Sequence, residues 1–474
     1  MANKNILTYN SKIIETIQAY YSPVSVVFST SEYITNMYCF LSRVEPWSDD
    51  ADPPAPLQTE QYLKSTFKNI FVAKKITPSD IRPVVQRINW STGTTYDYYD
   101  DTIDMMEVDN NGFLVNKFYV KNKYDQVFKC LWNNGSLVDN VIVGSPSTVE
   151  PYFQPGSYGT NNIFTGSDGY KWKYIYTIDA GSKTKFMDSD WMPVNVGTHI
   201  PGPVYNSNGD ETGVWAGNID VINVVDGGSG YDPISSEITV TITGDGSDAA
   251  ATAEANNISG KIENIVMTNT GMNYTFADIS ITSANGSGVI VSAPISPIGG
   301  HGYNPISELG CHNVMITCEF NDTEEYQGVQ YVPATIDYHQ IGLLVNPIEQ
   351  ASYPHSSNGT IYKTTTDLLV SQGEGVYVPD EIVYQADVTG KVYFTGRVLY
   401  FDEATNIINL LNITGTPVLN QTISGQSTAV ARVLLTVSPP KLKLPSGYIT
   451  YIENRSPVQR SVGGIEQFKF VLKY

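Results

Sequence analysis

Apolar residues recur along this chain at two different periods. Over 8–21, Ile13, Ile14, Ile17, Tyr20 and Tyr21 fall at helical spacing behind Ser11, a suitable cap, and Pro23 ends the run. A strand is expected next, over Val24–Phe28. Leu63, Phe67, Ile70 and Phe71 trace a second helical stripe, with Thr59 as N-cap. Thr77-Pro78-Ser79-Asp80 signals a third helix start: Thr77 caps, Pro78 takes the first helical position, and Asp80 faces the positive helix end. Pro83 keeps that helix short.

From about residue 112 the period shifts to two. In Lys171–Ile178, Trp172, Tyr174, Tyr176 and Ile178 share one strand face, with Lys171 and Lys173 on the other. The end repeats this logic, with Phe468, Phe470, Leu472 and Tyr474 alternating against Gln467, Lys469 and Lys473. An apolar strand running to the last residue is expected to pair inside a sheet and return to a core begun earlier.

Residues 215–300 change texture to Gly, Ser, Asn, Ala, Thr and Val, and they hold an internal repeat. Ile222–Tyr231 (INVVDGGSGY) aligns with Ile265–Tyr274 (IVMTNTGMNY), and each copy leads into a strand-like run and a Gly-rich turn, Gly244–Ser247 and Asn285–Gly288. Two such short units bury little alone, so they are expected to pack on each other as one small β-domain. A second Gly-punctuated patch runs over about 390–437, closed by Pro439-Pro440. The fold class read from this is mainly β with some α (α+β), multidomain, a discontinuous β-rich core carrying two Gly-rich β insertions. The division is 1–214, the first core segment, with N-terminal helices and then strands; 215–300, inserted β-domain; 301–390, the second core segment; 391–437, small inserted β module; and 438–474, C-terminal core strands.

The composition agrees with an ordered, interface-rich protein. Only 16% of the 474 residues are charged, against roughly a quarter in ordinary domains, and there are 32 Tyr. Tyrosine joins apolar area to a hydroxyl and suits half-buried sheet faces and wet interfaces. The formal net charge of −20 opposes phosphate backbones and anionic lipid, so neither nucleic acid nor membrane is an expected partner. No leader or apolar span is visible. The chain is expected to be made in a cytoplasm and to leave it inside a particle.

No motif rises to a catalytic, cofactor-binding or metal site, and none is assigned. The histidines His199, His301, His312, His339 and His355 lack metalloprotease spacing, and no nucleophile elbow or Walker loop is present. His301, flanked by glycines in Gly299–Tyr303, could be a ligand or a base, but reads first as a turn residue. Cys311-His312 with Cys318 fits no common zinc spacing; with Cys39 and Cys130 these cysteines read as reduced core residues. The adjacent carboxylates Asp49/Asp50 and Asp100/Asp101 read as solvated loop acids rather than a glycosidase pair. Gly227–Gly230 opens no helix that would hold a phosphate, and the Gly-Asp-Gly turns lack the period of calcium-binding β-rolls.

Five blocks, in order, resemble the gene-product-eight baseplate wedge subunit of T-even-type myophages. They are Ser42–Ser48 (SRVEPWS), Ile81–Trp90, Asp168–Ile175 (DGYKWKYI), Leu344–Glu349 (LVNPIE) and Tyr451–Val458 (YIENRSPV) with the strand that follows. In the second block Asn89 stands where the family is expected to have Asp. The matched regions cover about 1–210, 301–390 and 438–474, and the Gly-rich patches fall between them. The resemblance implies a non-enzymatic subunit that forms homodimers and bridges other wedge proteins. It further implies placement in the virion, at the tail baseplate. Peripheral or tail-fibre proteins are further expected partners, and no site residue or cofactor is carried over. Glu45-Pro46-Trp47 is expected to fix a strand end and bury an indole, and Glu453 with Arg455 to form a partly buried pair. The competing reading is a carbohydrate-binding or carbohydrate-degrading tail protein contacting the host surface, for which the aromatic load and the Gly-rich repeats argue.

Overall fold

The computed structural model describes residues 5–7, 36–109, 113–154, 162–195, 217–233, 237–321, 325–326, 329–330, 332–333, 335–350, 360–458 and 461–473. The helix expected over 8–21, the strand expected over 24–28 and Tyr474 lie outside them. The protein is mainly β with some α, and it divides into two compact units. One comprises Met1–Ile81 and Ile316–Leu472; the other is Arg82–Met315 with Lys473. No helix among the described residues is long and apolar enough to cross a membrane.

The first unit is built on an antiparallel sheet with strand order Asn5–Leu7, Tyr448–Asn454, Gln340–Val345, Met37–Ser42, Ile70–Lys75, Ile361–Lys363. Its central strands are buried on both faces, as near-continuous apolar runs such as Met37–Leu41 require. The helix Glu60–Asn69 packs there through Tyr62, Leu63 and Phe67. Thr59 caps it, accepting from the Tyr62 amide at 3.3 Å. The expected stripe counted Ile70 and Phe71 as helical. They instead open the strand Ile70–Lys75, because Ile-Phe-Val is a β-branched and aromatic run that a pleated, covered surface holds better. At Pro78–Asp80 the third helix start is a single 3₁₀ turn, with Asp80 accepting from the Thr77 amide at 2.8 Å. In the C-terminal strand Ile465–Lys473, Phe468, Phe470 and Leu472 are buried, and Phe468 packs edge-on to Phe320 and Tyr338.

The same unit holds a closed six-stranded barrel. Its order is Thr366–Val370, Ile407–Gly415, Val392–Asp402, Ile382–Ala386, Thr422–Gly425, Ala431–Ser438, and the last strand pairs back to the first. Leu368, Phe394, Val398, Ile408, Leu410 and Leu434 fill it. The expected module at 391–437 is therefore too short at its start. Thr366–Val370 and Ile382–Ala386 belong to the barrel although their composition is ordinary, because glycine marks turns rather than the strands that pair.

The second unit centres on a sheet ordered Tyr119–Lys121, Gln126–Asn133, Tyr170–Thr177, Ile163–Thr165. Tyr170 and Trp172 stack in its core, with Tyr96 edge-on to the indole. A bulge between Tyr174 and Tyr176 breaks the alternation expected for this strand. The face carrying Lys171 and Lys173 is not left to solvent; Lys173 is buried.

What covers that face is the Gly-rich segment. Its six strands pair in nested fashion, first with last: Asn223–Ser229 with Ser287–Ser292, Ile238–Gly244 with Ala277–Ser283, and Ser247–Ala255 with Ile262–Met272. Each copy of the repeat supplies three strands, and every strand pairs with one from the other copy. The exchange extends to side chains. A Cβ on Gly246 would lie 2.4 Å from the Tyr274 ring, and one on Gly286 would lie 2.3 Å from the Tyr231 ring. Each tyrosine is thus seated on the other copy's glycine, a pseudo-twofold arrangement in which neither copy has a core without its mate.

Candidate functional site

A group of charges in the second unit is buried where the sheet meets the flanks of the Gly-rich segment. Lys129 and Lys173 are direct partners across the strands Gln126–Asn133 and Tyr170–Thr177, so both ammonium groups leave the same face. Each finds a carboxylate. Lys129 Nζ lies 3.0 Å from Glu308 Oε1, and Lys173 Nζ lies 3.1 Å from Asp220 Oδ2. Asp220 precedes the first repeat. Glu308 ends the one-turn helix Pro305–Glu308, which Asn304 caps.

Glu308 collects further donors. The Gly302 amide donates to its Oε2 at 2.6 Å, and His301 Nδ1 lies 2.6 Å from its Oε1. With its proton on Nδ1, neutral His301 donates to that carboxylate. Lys129 also sits 3.4 Å above the centroid of the Tyr99 ring, which stands edge-on to His301. Asp101 joins the seam by accepting from the Ile295 amide at 3.1 Å, and Asn223 Nδ2 donates to the Leu131 carbonyl at 2.9 Å.

Burial sets the protonation states. It pushes Lys129 down to about 8, with Glu308 working against the shift. Burial alone would raise Glu308, but the charges of Lys129 and His301 and the bonds from His301 and Gly302 hold it at about 2. His301 lies below its ordinary value because burial and Lys129 disfavour the imidazolium. Tyr99 is raised by burial and by Asp101 and Glu308. A lysine with a lowered pKa can act as a nucleophile or base, but the side chains of Lys129 and Glu308 are 0% and 1% exposed and fully engaged. In this arrangement the cluster fastens the Gly-rich segment to the sheet.

The residues singled out in the sequence take other places. Of these, His301 joins the cluster and Asp101 borders it through the Ile295 amide. His312 is exposed, and Cys311 Sγ lies 3.2 Å from the Val84 carbonyl. Burial and the neighbouring Cys318 push the Cys39 thiol up. Among the described residues no three His, Cys, Asp or Glu side chains gather as a metal-ligand set. Asp49, Asp50 and Asp100 accept from nearby amides in their own turns. Gly227 and Gly228 lie in a strand, with the Gly228 amide donating to Asp226, and Asp245 accepts from the Thr275 amide. His339 contacts the Val44 carbonyl through Nδ1 at 2.8 Å; His199 and His355 lie outside the described residues. Lys129 and Glu308 were not singled out, although a signal existed: Val127-Phe128-Lys129-Cys130-Leu131-Trp132 sets a lysine inside an apolar strand, and such a lysine needs a buried acid.

The five motif blocks bond mostly to segments distant in the chain. In the first unit Arg43 reaches Asp337 at 2.8 Å and Asp380 at 2.7 Å, and Trp47 Nε1 donates to the Arg455 carbonyl at 3.0 Å. The Trp47 indole is half-buried rather than buried, since Glu45, Pro46 and Ser48 around it are exposed. Arg455 Nε lies 2.9 Å from Glu453 Oε1, the partly buried pair expected. Asn346 accepts from the Asn36 amide at 2.8 Å. In the second unit Asp168 accepts from the Thr148 and Val149 amides, and Arg87 donates to the Asp188 carbonyl at 2.6 Å. No protein-family model matches the chain, and no curated protein is significantly similar to it.

Proposed function

We propose that this chain is a non-enzymatic structural subunit of the baseplate wedge of a contractile phage tail. It forms a homodimer and bridges other wedge proteins, with peripheral or tail-fibre proteins as further neighbours. It is made in the host cytoplasm and resides in the virion. The support is the ordered set of five sequence blocks. The observation that carries the reading is how those blocks are used. Arg43, Trp47, Arg87, Asp168 and Asn346 direct their polar atoms at distant backbone or countercharges, which is the work of scaffold residues. The buried cluster at Lys129 is likewise closed and self-satisfied.

Light scattering on the purified protein at micromolar concentration tests the dimer. A mass of twice the chain is expected, and a strictly monomeric species would count against the reading. Mixing with the other wedge proteins tests the bridge: wedges should assemble with this chain and stall without it.

A further inference from the structure

The Gly-rich segment contains a hairpin whose two arms do not pair with each other. Ala277–Ser283 and Ser287–Ser292 are joined by three residues, yet the first pairs only with Ile238–Gly244 and the second only with Asn223–Ser229. Each arm therefore has one unpaired edge, and alternate N–H and C=O groups point out along it. Between the arms runs an open groove of about 420 Å³.

Its walls identify which part of each strand faces in. One wall is Ile279, Ser280, Ile281, Thr282 and Ser283, five residues in succession; the other includes Gly286, Ser287, Gly288 and Val289. A strand's face presents every second residue, whereas its edge presents successive ones. The groove is thus bordered by two strand edges. Five extended residues span about 17 Å, the length of wall open to a partner. Gly288 keeps the second wall low, since nothing but the Gly228 Cα lies near the position of a Cβ there. The one aromatic ring at the groove, Tyr231, is 3% exposed and lies under Gly286, so it offers no stacking face to a sugar.

The segment's net charge favours one kind of occupant. Residues 217–300 contain nine Asp and Glu and a single cation, Lys261. Asp220 is neutralised by Lys173; Asp226, Asp245, Glu254, Glu263 and Asp278 are exposed elsewhere on the segment, outside the groove's own lining, and set its overall field. A second copy of this segment would be repelled. The geometry points to a basic, extended segment of another protein as the occupant, added as a strand between Ala277–Ser283 and Ser287–Ser292. This gives the assembly role proposed above a specific kind of partner and rests on it only for the setting.

The test uses the full chain and three labelled peptides of about seven residues. One alternates Lys with Val, the second is the same peptide N-methylated at every other amide, and the third carries Glu for Lys. Fluorescence anisotropy should show the first binding at least about tenfold more tightly than either control, since one control loses a ladder of hydrogen bonds and the other reverses the charge. Hydrogen exchange at residues 279–283 and 287–289 should slow when the first peptide binds. Equal binding by the N-methylated peptide, equal binding by the acidic one, no binding at all, or binding without protection of these amides would each overturn the proposal. Any of them would leave the dimer and assembly tests untouched.

Discussion

The two Gly-rich modules are both small, both β and both anchored by buried cations, yet they are built and fastened differently. The barrel at Thr366–Ser438 closes on itself around Leu, Phe and Ile side chains. The segment at Asn223–Ser292 closes by exchange between two copies of one repeat. The barrel's anchor is Arg397, which donates to the Arg43 carbonyl, to Asn69 Oδ1 at 2.7 Å and to Asp380 Oδ1 at 2.8 Å. The repeat segment's anchors are Lys129 and Lys173, facing Glu308 and Asp220 beside His301. A guanidinium stays charged at any working pH and forks across several acceptors. An ammonium paired with a carboxylate next to an imidazole does not share that indifference to pH. The same task of seating a β module on a sheet is thus done once with a permanent charge and once with groups that titrate.

The comparison is broken most severely by removing one partner from either anchor. Glu308→Ala strands Lys129, and Arg397→Met leaves its acceptors dry, so each should cost about 3–5 kcal/mol in urea unfolding. Hydrogen exchange should place the first loss in 223–292 and the second in 366–438. The double variant Lys129→Met with Glu308→Leu should recover much of the loss. Next come the paired glycines. Gly246→Ala and Gly286→Ala each force a methyl into a tyrosine ring and should cost about 1–3 kcal/mol, equal within about half a kcal/mol if the pseudo-twofold holds. Unequal costs would break the symmetry.

Acid sharpens the contrast. His301 is held below its ordinary value, so below about pH 6.5 the unfolded chain takes up the proton first and stability falls. Glu308, at about 2 against an ordinary 4.5, contributes stability that is present above 4.5 and is lost as the pH drops toward 2. Below pH 4.5 the slope from Glu308 is about 1 kcal/mol per pH unit. Lys129, lowered to about 8 from 10.5, acts at the other end: stability rises between those values. Protection of 223–292 should therefore fade on acidification before that of 366–438, as read by exchange at a series of pH values. The smallest effect belongs to Arg455→Met. Its ion pair with Glu453 is partly exposed, and breaking it should change stability by about 1 kcal/mol or less.

Patterning made much of this legible. Thr59 caps its helix, Asp80 faces the start of its turn, the terminal strand buries Phe468, Phe470 and Leu472, and the aligned repeats do pack on each other. What stayed hidden was pairing. Periodicity marks a strand and its faces but not its neighbour, so neither the nested order of the repeat strands nor the barrel's start at Thr366 could be read locally. The bulge at Tyr174–Tyr176 reset an alternation that the letters alone kept in phase. The cluster at Lys129 was hidden for a related reason. Its members are far apart in sequence, with Lys129 and Glu308 brought together only by the return of the chain after the repeats.

A cryo-electron map of the contractile tail with every baseplate density traced addresses the central claim most directly. The account predicts this chain in each wedge as a twofold pair, touching at least one other wedge protein. A baseplate fully traced without it, or with it present only as a single copy at a host glycan, would contradict the account.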